Sequence, residues 1–179
     1  GDKRIALTGG TTGNGVNGCA TISDDNNSIQ ILLYSHFDGA GAGNTTQDNI
    51  TLSVNGIPFG PGKMTVQHRI VDSERSNTYR AWAAMGRPAQ PTATQWNTII
   101  AASDLANQDP VTVVDLSAKT WTKTFTQRYY SVALLTLTKG DATSSMPNDR
   151  LGGSSAKRDL APRVSLQNRT LLVQSPGEG

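Results

Sequence analysis

Residues 49–56 read Asn-Ile-Thr-Leu-Ser-Val-Asn-Gly, and this stretch decides the fold class. Its apolar residues Ile50, Leu52 and Val54 occupy every second position, which is the period of a strand with one buried face. The Asn-Gly pair at 55–56 marks the end of the strand, because both residues accept turn conformations readily. The segment predicts an antiparallel strand followed by a tight turn.

The same alternation recurs along the chain. Met64, Val66, His68 and Ile70 occupy alternate positions of a second strand, whereas Ser28–Phe37 is more continuously apolar and is predicted to be covered on both faces. Further strands are expected near Lys3–Thr8, Cys19–Ser23, Val111–Leu116, Thr120–Thr126 and Ser131–Thr138. Residues 9–18 are rich in glycine and predict a loop. This pattern predicts an all-β fold, an antiparallel β-sandwich.

Residues 73–105, here called the helical excursion, depart from that period. Tyr79, Trp82 and Met85 recur every third residue, and a Thr-x-x-Gln capping box begins at Thr92. Trp96, Ile99 and Ile100 then follow at the spacing of one buried helical face. We predict a short helical insertion between two strands.

The three tryptophans are candidate platforms for a sugar ring. Trp82 and Trp96 lie on the apolar faces of the predicted helices, so we expect them to pack against the sandwich. Trp121 shares a strand face with Lys123 and Phe125, and this face can be either packed or half exposed.

We predict a β-sandwich accessory domain over residues 1–139 and a tail rich in Gly, Ser and Pro over residues 140–179. Residues 163–166 and 170–173 are strand-like, so the tail can return to the sandwich. The chain begins at Gly1 without a methionine, and we expect a mature, trimmed or excised piece from which any targeting segment has been removed. We expect a secreted or periplasmic location, although a single cysteine also fits a cytosolic chain.

Composition excludes several classes of function. The 179 residues carry a net charge of +2 without a concentrated basic stripe, so no nucleic-acid partner is expected. No apolar run approaches the roughly 20 residues that cross a bilayer, and no membrane association is expected. The single cysteine, Cys19, excludes an internal disulfide and is interpreted as a small buried residue.

The sequence offers little catalytic chemistry. Of fourteen acidic residues only two are glutamates, Glu74 and Glu178, and the chain contains no H-E-x-x-H, G-x-S-x-G or P-loop motif. The chain has two histidines, too few for a three-histidine zinc site. Asp24, Asp25 and Asp38 are interpreted as turn-forming residues, with a calcium ion as the alternative. We therefore name no catalytic residue, no metal site and no cofactor.

One block carries a family resemblance. Residues 69–77 read Arg-Ile-Val-Asp-Ser-Glu-Arg-Ser-Asn, and Tyr79, Trp82, Met85-Gly86, Pro88 and Pro91-Thr92 follow. The block resembles the C-terminal region of glycoside hydrolase family 39, the β-xylosidase and α-L-iduronidase family, with Val71 inserted into the family's pattern. Residues 131–137 resemble the closing strand of that region.

The resemblance implies a β-sandwich that accompanies a (β/α)₈ barrel with two catalytic glutamates. A barrel needs about 250 residues, and a retaining mechanism needs two carboxylates about 5 Å apart. Neither requirement can be met here, so the barrel is expected outside this chain, as its partner.

Five residues are candidates for a binding or barrel-interface role: Asp72, Ser76, Asn77, Tyr79 and Trp121. The first three stand where a strand leads into a helix, so they are either helix caps only or also fix a loop that faces the barrel. Two other functions stay open, namely a free-standing carbohydrate-binding (lectin-like) module and a structural or adhesive extracellular domain.

Overall fold

The computed structural model describes residues 1–10, 15–37 and 47–141, together with the backbone of residues 163–167 and 170–174. The chain is all-β: over these described residues it forms antiparallel strands in two sheets with two short helices. The strands are β1 (Lys3–Ile5), β2 (Gly15–Ile22), β3 (Ser28–His36), β4 (Gln47–Asn55), β5 (Gly62–Val71), β6 (Ala106–Asn107), β7 (Thr112–Leu116), β8 (Thr120–Arg128), β9 (Ser131–Lys139), β10 (Arg163–Gln167) and β11 (Thr170–Gln174). The helices are α1 (Thr78–Ala84) and α2 (Ala93–Ala101).

The larger sheet has seven strands in the order β1-β2-β3-β9-β5-β6, and β7 also pairs with β5. The smaller sheet has the order β11-β10-β4-β8. Strand β10 overlaps one of the strand-like pieces predicted in the tail and pairs with β4 where Val164 faces Val54.

One cluster of buried apolar side chains draws on both sheets. Ile50, Leu52 and Val54 of β4 contribute from the smaller sheet, and they are at most 1% exposed. Ile31 of β3 and Leu135 of β9 contribute from the larger sheet. The alternation predicted for residues 49–55 is thus the burial pattern of the core, and we call the face of each sheet that supplies this cluster its inner face.

Three expectations for the larger sheet are corrected. Strand β3 is buried on one face only, because Leu32 and Tyr34 are 39% and 45% exposed. Strand β2 begins at Gly15, inside the predicted loop, since its first residues pair with the end of β3. Cys19 is half-buried, not buried, because its position on β2 falls on the face away from the core.

The helical excursion contains both predicted helices. Thr92 and Gln95 form the capping box: the Gln95 N–H donates to Thr92 Oγ1 at 3.3 Å, and the Thr92 N–H donates to Gln95 Oε1 at 2.9 Å. Gly86 adopts a φ of +82° just past α1, a conformation that glycine adopts without strain. No helix in the described ranges is long and apolar enough to span a membrane.

The packing predicted for the tryptophans is wrong for Trp96. Trp96 is 51% exposed and its neighbour Ile100 is 62% exposed, so within α2 only Ile99 is buried. Trp82 is half-buried and its Nε1–H donates to the Pro88 carbonyl at 3.0 Å, inside the excursion. Trp96, Ile99 and Ile100 lie on a helix as predicted, but none of them belongs to the buried apolar cluster that the two sheets share, here called the shared core.

Candidate functional site

The turn that joins β5 to α1, residues 72–77, is built around the carboxylate of Asp72. Its Oδ1 accepts the backbone N–H groups of Glu74 at 2.7 Å and Arg75 at 2.6 Å. Its Oδ2 accepts Arg75 Nε at 3.2 Å and Nη2 at 2.9 Å. We call residues 72–77 the Asp72 turn. Four donors thus converge on one side chain that exposes no surface.

These contacts fix the charge of Asp72. Burial by itself would raise its pKa, but the hydrogen bonds from Arg75 and the two backbone N–H groups, with the Arg75 charge, outweigh burial and hold the pKa below its ordinary value. The carboxylate is therefore ionised and fully occupied. It has no remaining capacity to move a proton in a reaction.

Ser76 and Asn77 close the same turn. Ser76 Oγ donates to the Ile70 carbonyl at 2.7 Å and accepts the Ala106 N–H at 2.8 Å, so it joins the end of β5 to the start of β6 across the base of the helical excursion. Ser76 has a φ of +53°, an uncommon conformation for a residue other than glycine. Asn77 caps α1 by accepting the Arg80 N–H at 3.1 Å, and its Nδ2 donates to the Asp72 carbonyl at 3.1 Å.

Glu74 extends the Asp72 turn toward the smaller sheet. Its carboxylate lies 2.6 Å from Arg80 Nη1 on α1 and 3.7 Å from Arg128 Nη1 at the end of β8. A cleft of about 410 Å³ opens beside it, lined by five alanines together with polar and charged residues of the Asp72 turn, Arg80 and Asp104. The alanines are Ala81, Ala84, Ala101, Ala102 and Ala106.

The structure unites only part of the predicted set. Asp72, Ser76 and Asn77 lie in one hydrogen-bonded turn. Tyr79 is 60% exposed on α1, and its ring centroid lies 5.7 Å from that of Trp82. Trp121 lies on β8 in the smaller sheet, half-buried against the shared core, and does not join the Asp72 turn.

Arg75, Arg80 and Arg128 also contribute to this site, and none of them has a role predicted from the sequence. Arg75 belongs to the quoted block, and an acidic residue three positions before an arginine at a turn is a usable signal for an ion pair. Arg128 carries no such signal, because its contact with Glu74 joins residues 54 positions apart, which only the tertiary fold determines.

A second polar cluster connects the two sheets. His68 on β5 is 2% exposed, and its Nδ1 lies 3.1 Å from Asp109 Oδ2, which also lies 3.0 Å from Lys123 Nζ on β8. The His68 ring packs edge-on against Phe125, with 4.7 Å between ring centroids. His68 Nε2 is buried and has no hydrogen-bond partner among the described residues.

The two charged partners of this cluster act in opposite directions on His68. Burial lowers the pKa of His68, and it outweighs the hydrogen bond and charge of Asp109, which raise the pKa. The positive charges of Lys123 and Arg75 add to the lowering. His68 is therefore neutral at pH 7, with the Nδ1–H donating to Asp109.

Asp25, one of the candidate calcium ligands, is used within a turn. Asp25 Oδ1 accepts Ser23 Oγ at 2.5 Å and the Asn27 N–H at 3.0 Å, the arrangement of an Asx-type turn. These bonds lower the pKa of Asp25. Asp38 lies outside the described residues.

Both the sequence and the fold of this chain are similar to those of known proteins. The sequence profile described as "Glycosyl hydrolases family 39" matches residues 17–118, more than half of the chain. No curated protein sequence matches the chain.

Several solved structures share the fold. The family 39 enzyme from Xanthomonas axonopodis pv. citri superposes with a TM-score of 0.58 at 16% identity, covering 69% of this chain and 26% of that one. A bacterial orthologue of human α-L-iduronidase gives a TM-score of 0.62 at 17% identity, over 90% of this chain and 27% of that one.

The monomeric β-xylosidase from Caulobacter crescentus CB15 gives a TM-score of 0.54 at 18% identity, over 68% of this chain and 26% of that one. This chain thus spans about a quarter of the length of the solved enzymes that it matches. With the profile match over residues 17–118, we conclude that the chain belongs to glycosyl hydrolases family 39.

Proposed function

We propose that this chain is the non-catalytic β-sandwich part of a family 39 glycoside hydrolase, and that it supports a catalytic (β/α)₈ barrel located outside its 179 residues. The observation that carries the proposal is the coverage: the chain corresponds to about a quarter of each matched enzyme. The rest of such an enzyme is long enough for a barrel of about 250 residues.

The state of the carboxylates supports the same assignment. Asp72 is buried and saturated with donors, and Glu74 is paired with Arg80 and Arg128. A glycosidase of the usual kind needs one protonated and one ionised carboxyl group that flank an open sugar site. The carboxylates of the Asp72 turn are bound within the fold, so their role is structural.

We further propose that the intact enzyme acts on a xyloside-like or uronide-like glycoside, the classes named for the solved neighbours. The test compares the intact parent protein with the 179-residue chain on aryl β-xyloside and aryl α-L-iduronide substrates. We expect turnover by the intact protein and none by the chain alone. Turnover by the pure chain, or a parent gene without a barrel that carries two catalytic glutamates, would contradict the proposal.

A free-standing carbohydrate-binding module is the second candidate, and the exposed aromatic side chains of the helical excursion favour it. Tyr79 is 60% and Trp96 is 51% exposed, and aromatic faces of this kind can stack on a pyranose ring. A glycan array probed with the chain tests this candidate, with W96A and Y79A as loss-of-binding variants. Y34A is the matched control, because Tyr34 is 45% exposed on a different element.

A further inference from the structure

The outer face of the larger sheet, the face away from the shared core, carries apolar side chains on three adjacent strands. The exposed fractions are 39% for Leu32 and 45% for Tyr34 on β3, 41% for Val132 on β9 and 39% for Val71 on β5. An antiparallel sheet with one face in water normally places polar residues at these alternate positions. These positions therefore depart from the usual pattern of a solvated face.

The strand register makes these side chains neighbours. Leu32 lies opposite Leu134, Tyr34 lies opposite Val132, and Val132 lies opposite Val71 on its other side. Directly opposed residues have Cβ atoms roughly 5 Å apart, so the side chains form one continuous surface. We call Leu32, Tyr34, Val71, Val132 and Leu134 the outer-face patch.

The patch is uncharged, which indicates the kind of contact that it suits. The patch contains no Asp, Glu, Lys, Arg or His, and the charged side chain nearest in register is Arg69, half-buried opposite Leu134. Contiguous exposed apolar surface marks interaction sites on proteins. Permanent interfaces are also more apolar than transient ones, so the patch fits a partner that is always present.

We propose that the outer-face patch is the surface against which the catalytic part of the same polypeptide packs. This inference rests on the proposed function and names the face involved. The matched enzymes contain about three times as much chain again beyond the part that corresponds to this one, which is enough to cover the sheet. The patch also ends at Val71, directly before Asp72, so it is continuous with the candidate interface of the Asp72 turn.

A thiol-labelling experiment tests this placement. Cys19 is replaced by serine so that the chain lacks its natural thiol, and Val132→Cys then places one thiol in the patch. Thr126→Cys in the same background is the matched control, because Thr126 is exposed on β8 in the other sheet. Labelling rates with a maleimide are measured by mass spectrometry in the isolated chain and in the intact parent protein, whose glycosidase activity is assayed in parallel.

We expect both thiols to react in the isolated chain, and the Val132→Cys thiol to react at least tenfold more slowly in the intact protein while the Thr126→Cys thiol is unchanged. Equal labelling rates of both thiols in an active intact enzyme would contradict the inference that the outer-face patch contacts the catalytic part. The proposed function would be unaffected by that result. An intact protein without glycosidase activity or a barrel would overturn the proposed function itself. Protection in the isolated chain that grows with protein concentration, with elution as a dimer, would assign the face to a second copy and overturn the inference.

Discussion

Arg75 holds Asp72 with two nitrogens of its guanidinium group: Nε and Nη2 both donate to Oδ2, at 3.2 and 2.9 Å. The Asp72 side chain exposes no surface, whereas that of Arg75 is 33% exposed. The carboxylate therefore depends on the protein for all its donors, while the guanidinium keeps part of its contact with water.

We predict that Asp72→Ala lowers the free energy of unfolding by about 3 kcal/mol, the low end for breaking a buried ion pair, because Arg75 stays partly solvated. The matched control is Asp115→Ala, since the Lys63–Asp115 pair has side chains 57% and 79% exposed. Its expected cost is under about 1 kcal/mol. Urea unfolding followed by circular dichroism measures both, and equal costs would contradict the structural role of the Asp72 turn.

Asn77 and Thr92 cap neighbouring helices, so they form a natural pair for a kinetic test. Each replacement by alanine should cost about 0.5–2 kcal/mol of stability, the usual range for losing an N-cap. In the intact enzyme we predict that Asn77→Ala also lowers kcat/KM about tenfold, because Asn77 additionally holds the Asp72 carbonyl. Thr92→Ala should leave the kinetics unchanged. If both variants shift only the melting temperature, Asn77 is a cap and nothing more.

The free energy of unfolding should decrease as the pH is lowered, over a pH range set by the titration of His68. Burial lowers the pKa of His68 in the folded chain, whereas the unfolded chain takes up this proton near pH 6.5. The unfolded state then binds more protons, so the free energy of unfolding decreases as pH falls from about 6.5 through the lowered folded pKa. His68→Gln, which keeps a donor toward Asp109 without titrating, should flatten that part of the profile. Urea titrations from pH 8 to pH 5 measure it, and an unchanged slope in the variant would exclude His68 as the cause.

The two tryptophans of the helical excursion should differ in cost. Trp96→Ala is expected to cost under about 1 kcal/mol, because surface substitutions rarely cost more. Trp82→Ala should cost about 2 kcal/mol, less than the roughly 3–5 of a fully buried ring, since Trp82 is half-buried and loses its bond to Pro88. Thermal unfolding compares the two variants. A larger loss for Trp96 would show that its ring is covered in solution.

Gly18 is a position where any side chain must collide. A Cβ added there would stand 2.1 Å from the Leu32 carbonyl oxygen and 2.9 Å from Leu33 Cδ2, both on the paired strand β3. We predict that Gly18→Ala costs about 1–3 kcal/mol, the range for overpacking. Cys19→Ala, one residue along on the opposite face, is the control with a smaller expected loss. Denaturant unfolding of the two single variants decides the comparison.

The sequence predicts the strands and helices better than it predicts which of their faces are buried. Alternation at Ile50, Leu52 and Val54 identified an inner face correctly, because burial on one side of a strand leaves a period of two. Residues 28–37 form a more continuously apolar run, which predicts burial on both faces, but Leu32 and Tyr34 are exposed. A run of apolar residues predicts that a surface is covered. It does not predict whether this chain or another part of the protein covers that surface.

In the candidate site, too, local interactions are predicted correctly and tertiary contacts are not. Thr92 and Gln95 form their capping box as predicted, since a cap is a local interaction within four residues. Helical spacing alone predicts Trp96 and Ile100 to be buried. This spacing determines that they share one face of the helix, but not whether another part of the chain packs against that face. The roles of Arg128 and Asp109 depend on strand pairings between distant residues, and no local pattern carries that information.

The position of β10 in the smaller sheet has a consequence for the order of events during synthesis on the ribosome. Among the strands that the structure describes, the last one of the larger sheet is β9, which ends at Lys139, so these strands of the larger sheet can pair before β10 and β11 leave the exit tunnel. Until then β4 pairs only with β8, and its other edge presents free N–H and C=O groups. A nascent chain paused in this interval exposes a bare strand edge, which is where pairing with a neighbouring nascent chain would begin.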